Sequence, residues 1–331
     1  MCSSDLEGHA SWYDLYCTAM AEAKRKKEAA LNGPCPCGSG KTARLCCFTG
    51  QGWQWHKPPA ILGLKTLPPA GRVERCYMKE LGSCVAPISA EHLISESVIR
   101  VLMADGDFSI SGLPWLEAGE EKILAPQNLT ANCLCVKHNS ALHPLDDAAQ
   151  YFFASLKSYL ELDTGSRHAI VSGHDIERWL LKTAKALAVS KNLAKGRERL
   201  SGAFARDEAI LDMLDTPGLW PDGAGLYCVM NTGDVTENHS RFQLQPFTND
   251  QGEIEVLALN ILGLRFVLLL EPLDVGKYPF LREARYRPDR IEISYPSSTN
   301  WVTMSWEDGK AHAETLTVKF VRPTPGGNGL R

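Results

Sequence analysis

The sequence lacks a membrane-length apolar run, a secretory leader and a surplus of positive charge, and each absence excludes a class of function. Its most apolar stretch, Val256 to Leu273, is interrupted by Asn260, Gly263 and Arg265, and it falls short of the roughly 20 residues that span a bilayer. It reads as two buried strands, and no membrane association is expected. Met1 to Trp12 carries Asp5 and Glu7 with no basic segment leading into an apolar one, so no secretory signal is expected and the chain is read as cytoplasmic. Lys and Arg number 35 against 39 Asp and Glu, a formal charge of −4. Any nucleic-acid contact must therefore come from a local basic surface. No internal repeat or low-complexity segment stands out. Apolar residues at 44% and charged residues at 22% exclude disordered, collagen-like and coiled-coil classes.

What is present is a 331-residue chain, long enough for roughly two or three units. Residues 1–33 read as an N-terminal helix, with Leu15, Ala19 and Ala23 at helical spacing and Asn32-Gly33-Pro34 as its stop. Its basic run, Lys24 to Lys27, could touch phosphate, although a solvated charge near a helix C-terminus is the plainer reading. A cysteine knot (34–50) and a Pro/Trp-rich linker (51–73) come next, the repeated prolines barring a helix. A Cys/His-rich block (74–147) precedes a helical region (148–215), read from Ala148 to Leu162 and from Asp175 to Leu214. In the second stretch Ile176, Trp179, Leu180, Thr183 and Leu187 recur at three- and four-residue steps. From 222 to 325 the pattern is β. Arg285 to Tyr295 and Trp301 to Trp306 alternate, and Asp308-Gly309 signals a hairpin into Ala311 to Val321.

Eleven cysteines in tight clusters point to metal rather than disulfides in a chain without a leader. Cys35-Pro-Cys37-Gly-Ser-Gly-Lys41 followed by Cys46-Cys47 places four thiols within thirteen residues, a complete tetrahedral set for a structural zinc. This segment resembles the SEC-C motif, whose Cys-Pro-Cys-Gly-Ser-Gly-Lys opening and Cys-Cys close are both present, while the aromatic usual in its second half is Ala43. The resemblance covers about 15 residues and implies a zinc-held module for binding proteins or ribosomes.

In the second block Cys135-Val-Lys-His138 has the form of a zinc knuckle entering a helix, and Cys76 and Cys84 can complete its tetrahedron. With Glu91-His92 upstream and Asn128, Asn132 and Asn139 downstream, the block resembles the HNH endonucleases of the ββα-metal class. That resemblance implies His92 as general base, Glu91 and Asn139 as ligands of a catalytic Mg²⁺, and Asn132, with Asn128 as the alternative, as the residue fixing the base's loop. His143 could be a further ligand, although an exposed helix histidine is the plainer reading. Four departures mark this chain: seven residues separate Cys76 from Cys84 where two are usual, His138 stands for the last zinc cysteine, Glu91 for Asp, and Asn139 for the final His. About thirty residues, Glu96 to Ala125, also separate the two halves and are expected to insert a helix, Ser97 to Met103. Cys2, Cys17, Cys133 and Cys228 are left as small buried hydrophobes.

The expected fold is thus α+β and multidomain: a small zinc knot, an HNH-like ββα domain with its knuckle, a helical segment and a C-terminal antiparallel β-rich region. The expected activity is metal-dependent hydrolysis of phosphodiesters in nucleic acid, DNA ahead of RNA, by a bacterial-type protein of defence or a mobile element. The alternative is a non-enzymatic adaptor in which both zincs are structural and the SEC-C knot binds a partner. From Ala148 onward no phosphate loop, clustered acid pair or nucleophile elbow is present.

Overall fold

A computed structural model describes residues 12–49, 52–103, 107–113, 116–117, 119–161, 165–195, 198–199, 207–230, 241–251, 253–274 and 276–320. Cys2 and the Pro323 to Gly329 tail lie outside these residues, as does the side chain of Cys17. The chain forms two compact units, Met1–His56 and Lys57–Arg331.

In the first unit α1 (Trp12–Asn32) ends where Asn32-Gly33-Pro34 predicts, and the Gly33 amide bonds back to the Ala29 carbonyl. Gly38 and Gly40, at φ 71° and 72°, turn the chain between the cysteines in a conformation that a Cβ disfavours. A short hairpin, β1 (Phe48–Thr49) and β2 (Gly52–Trp53), closes the unit, with Trp53 stacked on Trp55 at 5.2 Å.

The second unit is mixed α/β. Strand β3 (Ile88–His92) is followed by α2 (Glu96–Met103), β4 (Ser109–Ser111), β5 (Glu121–Ile123) and β6 (Thr130–Cys135). Strands β3 and β6 pair antiparallel, and β6 runs straight into α3 (Val136–Glu161). Pro144 lies inside α3. A proline forfeits one backbone bond, but burial of Leu142, Leu145, Ala149, Phe152 and Phe153 along one face holds knuckle and following helix as one element. The residue 147/148 boundary drawn from composition therefore falls within a helix.

The 148–215 region is not uniformly helical. It holds β7 (His168–Ser172), α4 (Gly173–Val189), the short antiparallel pair β8 (Ala194–Lys195) and β9 (Glu198–Arg199), and then α5 (Asp207–Asp215). Every residue of α4 from Gly173 to Leu187 is buried, including His174, Asp175, Glu177, Arg178, Lys182 and Lys185. The three- and four-residue periodicity marks only one of the faces that pack. The polar face is buried because its charges are paired: Arg178 with Asp175, one turn earlier on the same helix, at 2.5 Å, and Glu177 with the distant Arg287 at 2.9 Å. The proline-rich segment is no free tether beyond Lys57, since the Ala60 amide bonds to Asp175 and the Leu64 amide to Asp215.

The remaining strands are β10 (Gly225–Met230), β11 (Arg241–Thr248), β12 (Ile254–Ile261), β13 (Leu264–Leu269), β14 (Arg285–Tyr286), β15 (Arg290–Ser294), β16 (Thr299–Ser305) and β17 (Thr315–Lys319). Among the described residues they build sheets of order β14-β10-β13-β12-β11-β4-β5 and β17-β15-β16-β7. The apolar run from Val256 forms the paired strands β12 and β13, as expected. The sheets are mixed rather than antiparallel: β4 runs parallel to β11, β7 to β16 and β17 to β15. Strands from earlier in the chain supply two of these pairs, and residues 222–325 by themselves carry no sign of them. Asp308-Gly309 does turn the chain, with Gly309 at φ 72°, but β16 and β17 do not pair. Strand β17 instead takes the free side of β15, and Asp308 is held by Arg287 and His312. No helix among the described residues is long and apolar enough to cross a membrane.

Candidate metal centres and the pocket beside the second

The ligand atoms of Cys35, Cys37, Cys46 and Cys47 all lie within 4.8 Å of one another. Cys37 Sγ is 3.4 Å from the sulfurs of both Cys35 and Cys46, and Cys46 Sγ is 3.9 Å from that of Cys47. These separations are far longer than a disulfide's roughly 2.0 Å. They bracket the edge of about 3.8 Å expected for a tetrahedron with zinc–sulfur bonds of about 2.3 Å. Burial pushes the Cys37 thiol up, but hydrogen bonding with Ser39, Cys35 and Cys46 outweighs it and brings the thiol down to about 6, toward the thiolate that binds metal.

The second group is built from three places in the chain: Cys76 and Cys84 flank the turn ahead of β3, Cys135 ends β6, and His138 lies in the first turn of α3. His138 Nδ1 is 3.3, 3.7 and 3.4 Å from the sulfurs of Cys76, Cys84 and Cys135. Its Nε2 lies 2.9 Å from Ser83 Oγ. With Nε2–H donated to Ser83, Nδ1 carries the lone pair that faces the thiols, the arrangement that orients an imidazole toward a metal. Burial, aided by the Lys137 charge, lowers the His138 pKa and favours the neutral, ligating form. Both groups can hold zinc, and both are closed four-ligand sets, which suits structure rather than catalysis. Protein purified without chelator is expected to carry two zinc ions per chain by elemental analysis; one or none would remove a cluster.

Beside the second group, Glu91, His92 and Asn139 line one pocket of about 420 Å³ together with Ser95, Glu96, Arg100, His143, Asp146 and Lys182. The pairing of β3 with β6 presents His92 at the end of β3, and the knuckle places Asn139 one residue past a metal ligand at the start of α3. His92 Nε2 is 3.7 Å from Glu96 Oε2. Asn132 is exposed, beside the register shift that separates the β3–β6 pairs, and is not among the residues lining the pocket. Asn128 is exposed as well and ends a one-turn helix. Cys133 and Cys228 are buried, as expected.

Glu91 departs most from expectation. The residue is 4% exposed, and its Oε1 lies 2.8 Å from the buried Lys182 Nζ. The same ammonium is 2.7 Å from each carboxylate oxygen of Asp146, which also accepts from Ser95 Oγ. Burial raises the Glu91 pKa against the pull of Lys182. Burial opposes the Lys182 charge, but Glu91 and Asp146 outweigh it and hold that pKa above its ordinary value. A divalent ion of the Mg²⁺ type wants carboxylate oxygens open to it at about 2.0–2.1 Å. Here the expected carboxylate ligand is already neutralised by a lysine, so Glu91 and Asn139 do not present a fitting Mg²⁺ site.

Asp146 and His143 were within reach of the sequence, since Asn139, His143 and Asp146 follow at steps of four and three on α3 and share a face. Lys182 carried no such signal, because it meets Glu91 only through the packing of α4. Comparison of the chain with protein-family models, with curated proteins and with solved structures finds no match.

Proposed function

We propose that the protein is a phosphodiester hydrolase acting on nucleic acid, resembling HNH endonucleases, with His92 as its general base. The observation that carries the reading is the convergence of His92 and Asn139 on one pocket, delivered by an antiparallel strand pair running into a helix that a Cys₃His group can pin. Strand β3 is separated from β6 in the chain by α2, β4 and β5, and β6 then leads through the Cys135–His138 knuckle into α3. Water attacks phosphorus as the neutral His92 imidazole takes its proton, the bond to the leaving oxygen breaks, and that oxygen is protonated from solvent. The Glu96 carboxylate lies 3.7 Å from the imidazole, a negative charge that favours the imidazolium formed as the proton is taken. The Asn139 amide, together with the donors of the exposed Arg100 guanidinium that its pairing with Glu96 leaves over, would meet the phosphate oxygens.

His92→Ala is expected to lower cleavage of a labelled DNA or RNA strand by at least about a hundredfold, with zinc content and melting temperature unchanged. Equal cleavage by the variant would remove His92 from the reaction. Absence of cleavage by the parent protein on either nucleic acid would favour the second reading, a zinc-stabilised adaptor whose SEC-C-like knot binds a protein or ribosomal partner. That reading draws on two observations: both metal groups are closed sets, and the Glu91 carboxylate is capped.

A further inference from the structure

We infer that the Lys182 ammonium is the pocket's resident cation, held between Glu91 and Asp146 in the place where a divalent ion would otherwise be expected. The inference deepens the hydrolase reading, but its first test does not depend on that reading.

Three elements meet at this nitrogen: Glu91 comes from β3, Asp146 from α3 and Lys182 from α4. The contacts of 2.8, 2.7 and 2.7 Å have the length of charge-assisted ammonium–carboxylate bonds, about 2.7–2.9 Å, and are longer than the oxygen–metal distances of Mg²⁺ or Ca²⁺, about 2.0–2.6 Å. The positions of the carboxylates are braced from behind: Ser95 donates to Asp146, and Trp179 Nε1 donates to Ser95 Oγ at 2.7 Å. Trp179 and Lys182 lie one turn apart on the buried Gly173–Leu187 stretch of α4. The Lys182 side chain is only 3% exposed, and Glu91 and Asp146 supply the counter-charge that a buried ammonium needs.

Besides Glu96 and Arg100, the pocket thus carries the Glu91 and Asp146 carboxylates with the Lys182 ammonium held between them. Replacing Lys182 by an apolar residue of similar length should uncover an acidic pair, flanked by Asn139 and His92, that recruits a divalent ion from solution. The resemblance to HNH endonucleases implies that the same acid, Glu91, is a metal ligand; the tertiary structure pairs it with a lysine.

The test uses full-length, zinc-loaded protein titrated with Mn²⁺ and followed by the electron paramagnetic resonance of the free ion. Parent protein and Glu91→Gln should bind Mn²⁺ equally weakly. Lys182→Met should take up one Mn²⁺ at least about tenfold more tightly, and Lys182→Met combined with Glu91→Gln should lose it. The inference is overturned if the parent protein binds one Mn²⁺ tightly and Glu91→Gln abolishes that binding, or if folded Lys182→Met, checked by unchanged zinc content, gains none. Should Lys182→Met fail to fold, the comparison of parent with Glu91→Gln still decides. In the cleavage assay, the rate should change by less than about twofold between magnesium-free and magnesium-containing buffer, and an absolute magnesium requirement would overturn the inference. Absence of cleavage under every condition would instead count against the hydrolase reading and leave the Mn²⁺ result standing.

Discussion

Cys135→Ser is expected to cost the protein one zinc ion and, with it, the cooperative fold of the Lys57–Arg331 unit. Cys76, Cys84 and Cys135 belong to the same buried cluster as Leu134, Leu142, Ile99 and Trp179, so this metal group is part of the core rather than an appendage. Zinc in small structural sites contributes about 10–16 kcal/mol of apparent folding free energy, against a total stability of about 5–15 kcal/mol for a typical domain. Loss of one ligand should therefore move the urea midpoint sharply downward or abolish the transition. Ser83→Ala offers a graded comparison. It removes only the partner of His138 Nε2, and should weaken zinc by about 10–100-fold while leaving the fold in place at saturating metal. Full zinc content and an unchanged midpoint in Cys135→Ser would show that the Cys₃His group is not a metal centre.

Arg287→Ala should be the most damaging substitution away from the cysteines. Arg287 Nε and Nη2 grip the two Glu177 oxygens at 3.0 and 2.9 Å, and Nη1 reaches Asp308 at 2.6 Å. Glu177 is fully buried, and its Oε1 also accepts the Leu226 amide at 2.7 Å. Gly225, at φ 121°, gives that carboxylate its room, since a Cβ there would meet Oε1 at 2.2 Å. Removing the guanidinium strands a buried charge, which costs about 3–5 kcal/mol. Arg287 itself sits at φ 40°, a left-handed backbone that alanine also disfavours. Paired replacement of both charges, Arg287→Met with Glu177→Gln, should recover a large part of the loss, and equal loss in single and paired variants would argue against the stranded charge as its cause.

The acid limb of stability should move as well. Burial alone would lift the Asp308 carboxyl, but hydrogen bonding to His312 and the Lys310 amide, with the charges of His312 and Arg287, holds it below its usual range. A carboxylate with a lowered folded pKa stabilises the fold above the unfolded value and loses that contribution as pH falls through the folded one. Without Arg287 the Asp308 value rises, so unfolding by acid should begin at higher pH.

Short-range spacing makes much of this protein legible in its sequence. Cys35-x-Cys37 with Cys46-Cys47, and Cys135-x-x-His138, place donors within a turn or a tight loop of one another, where chain geometry alone brings them close. The same holds for the helix stop at Asn32-Gly33-Pro34 and for the apolar run from Val256, because caps and burial patterns are local. His92 and Asn139 are legible for a related reason, since each is one element's length from a cysteine that metal can pin.

The rest depends on partners far away in the chain. Alternation over Arg285 to Tyr295 predicts one strand, yet the structure breaks it at Arg287, where the backbone turns left-handed so that the guanidinium can reach Glu177. Asp308-Gly309 predicts a hairpin, and β17 pairs elsewhere because a turn residue fixes a local bend but not which sheet edge is open. Glu91 predicts a metal ligand, and Lys182 of a buried helix takes it first. By itself the sequence picked out the two Cys/His groups that can hold metal and the helix that the second of them enters. Only the tertiary structure decided which charges are already neutralised, because an ion pair between distant residues leaves no periodicity to read and exists only once packing has excluded water from between them.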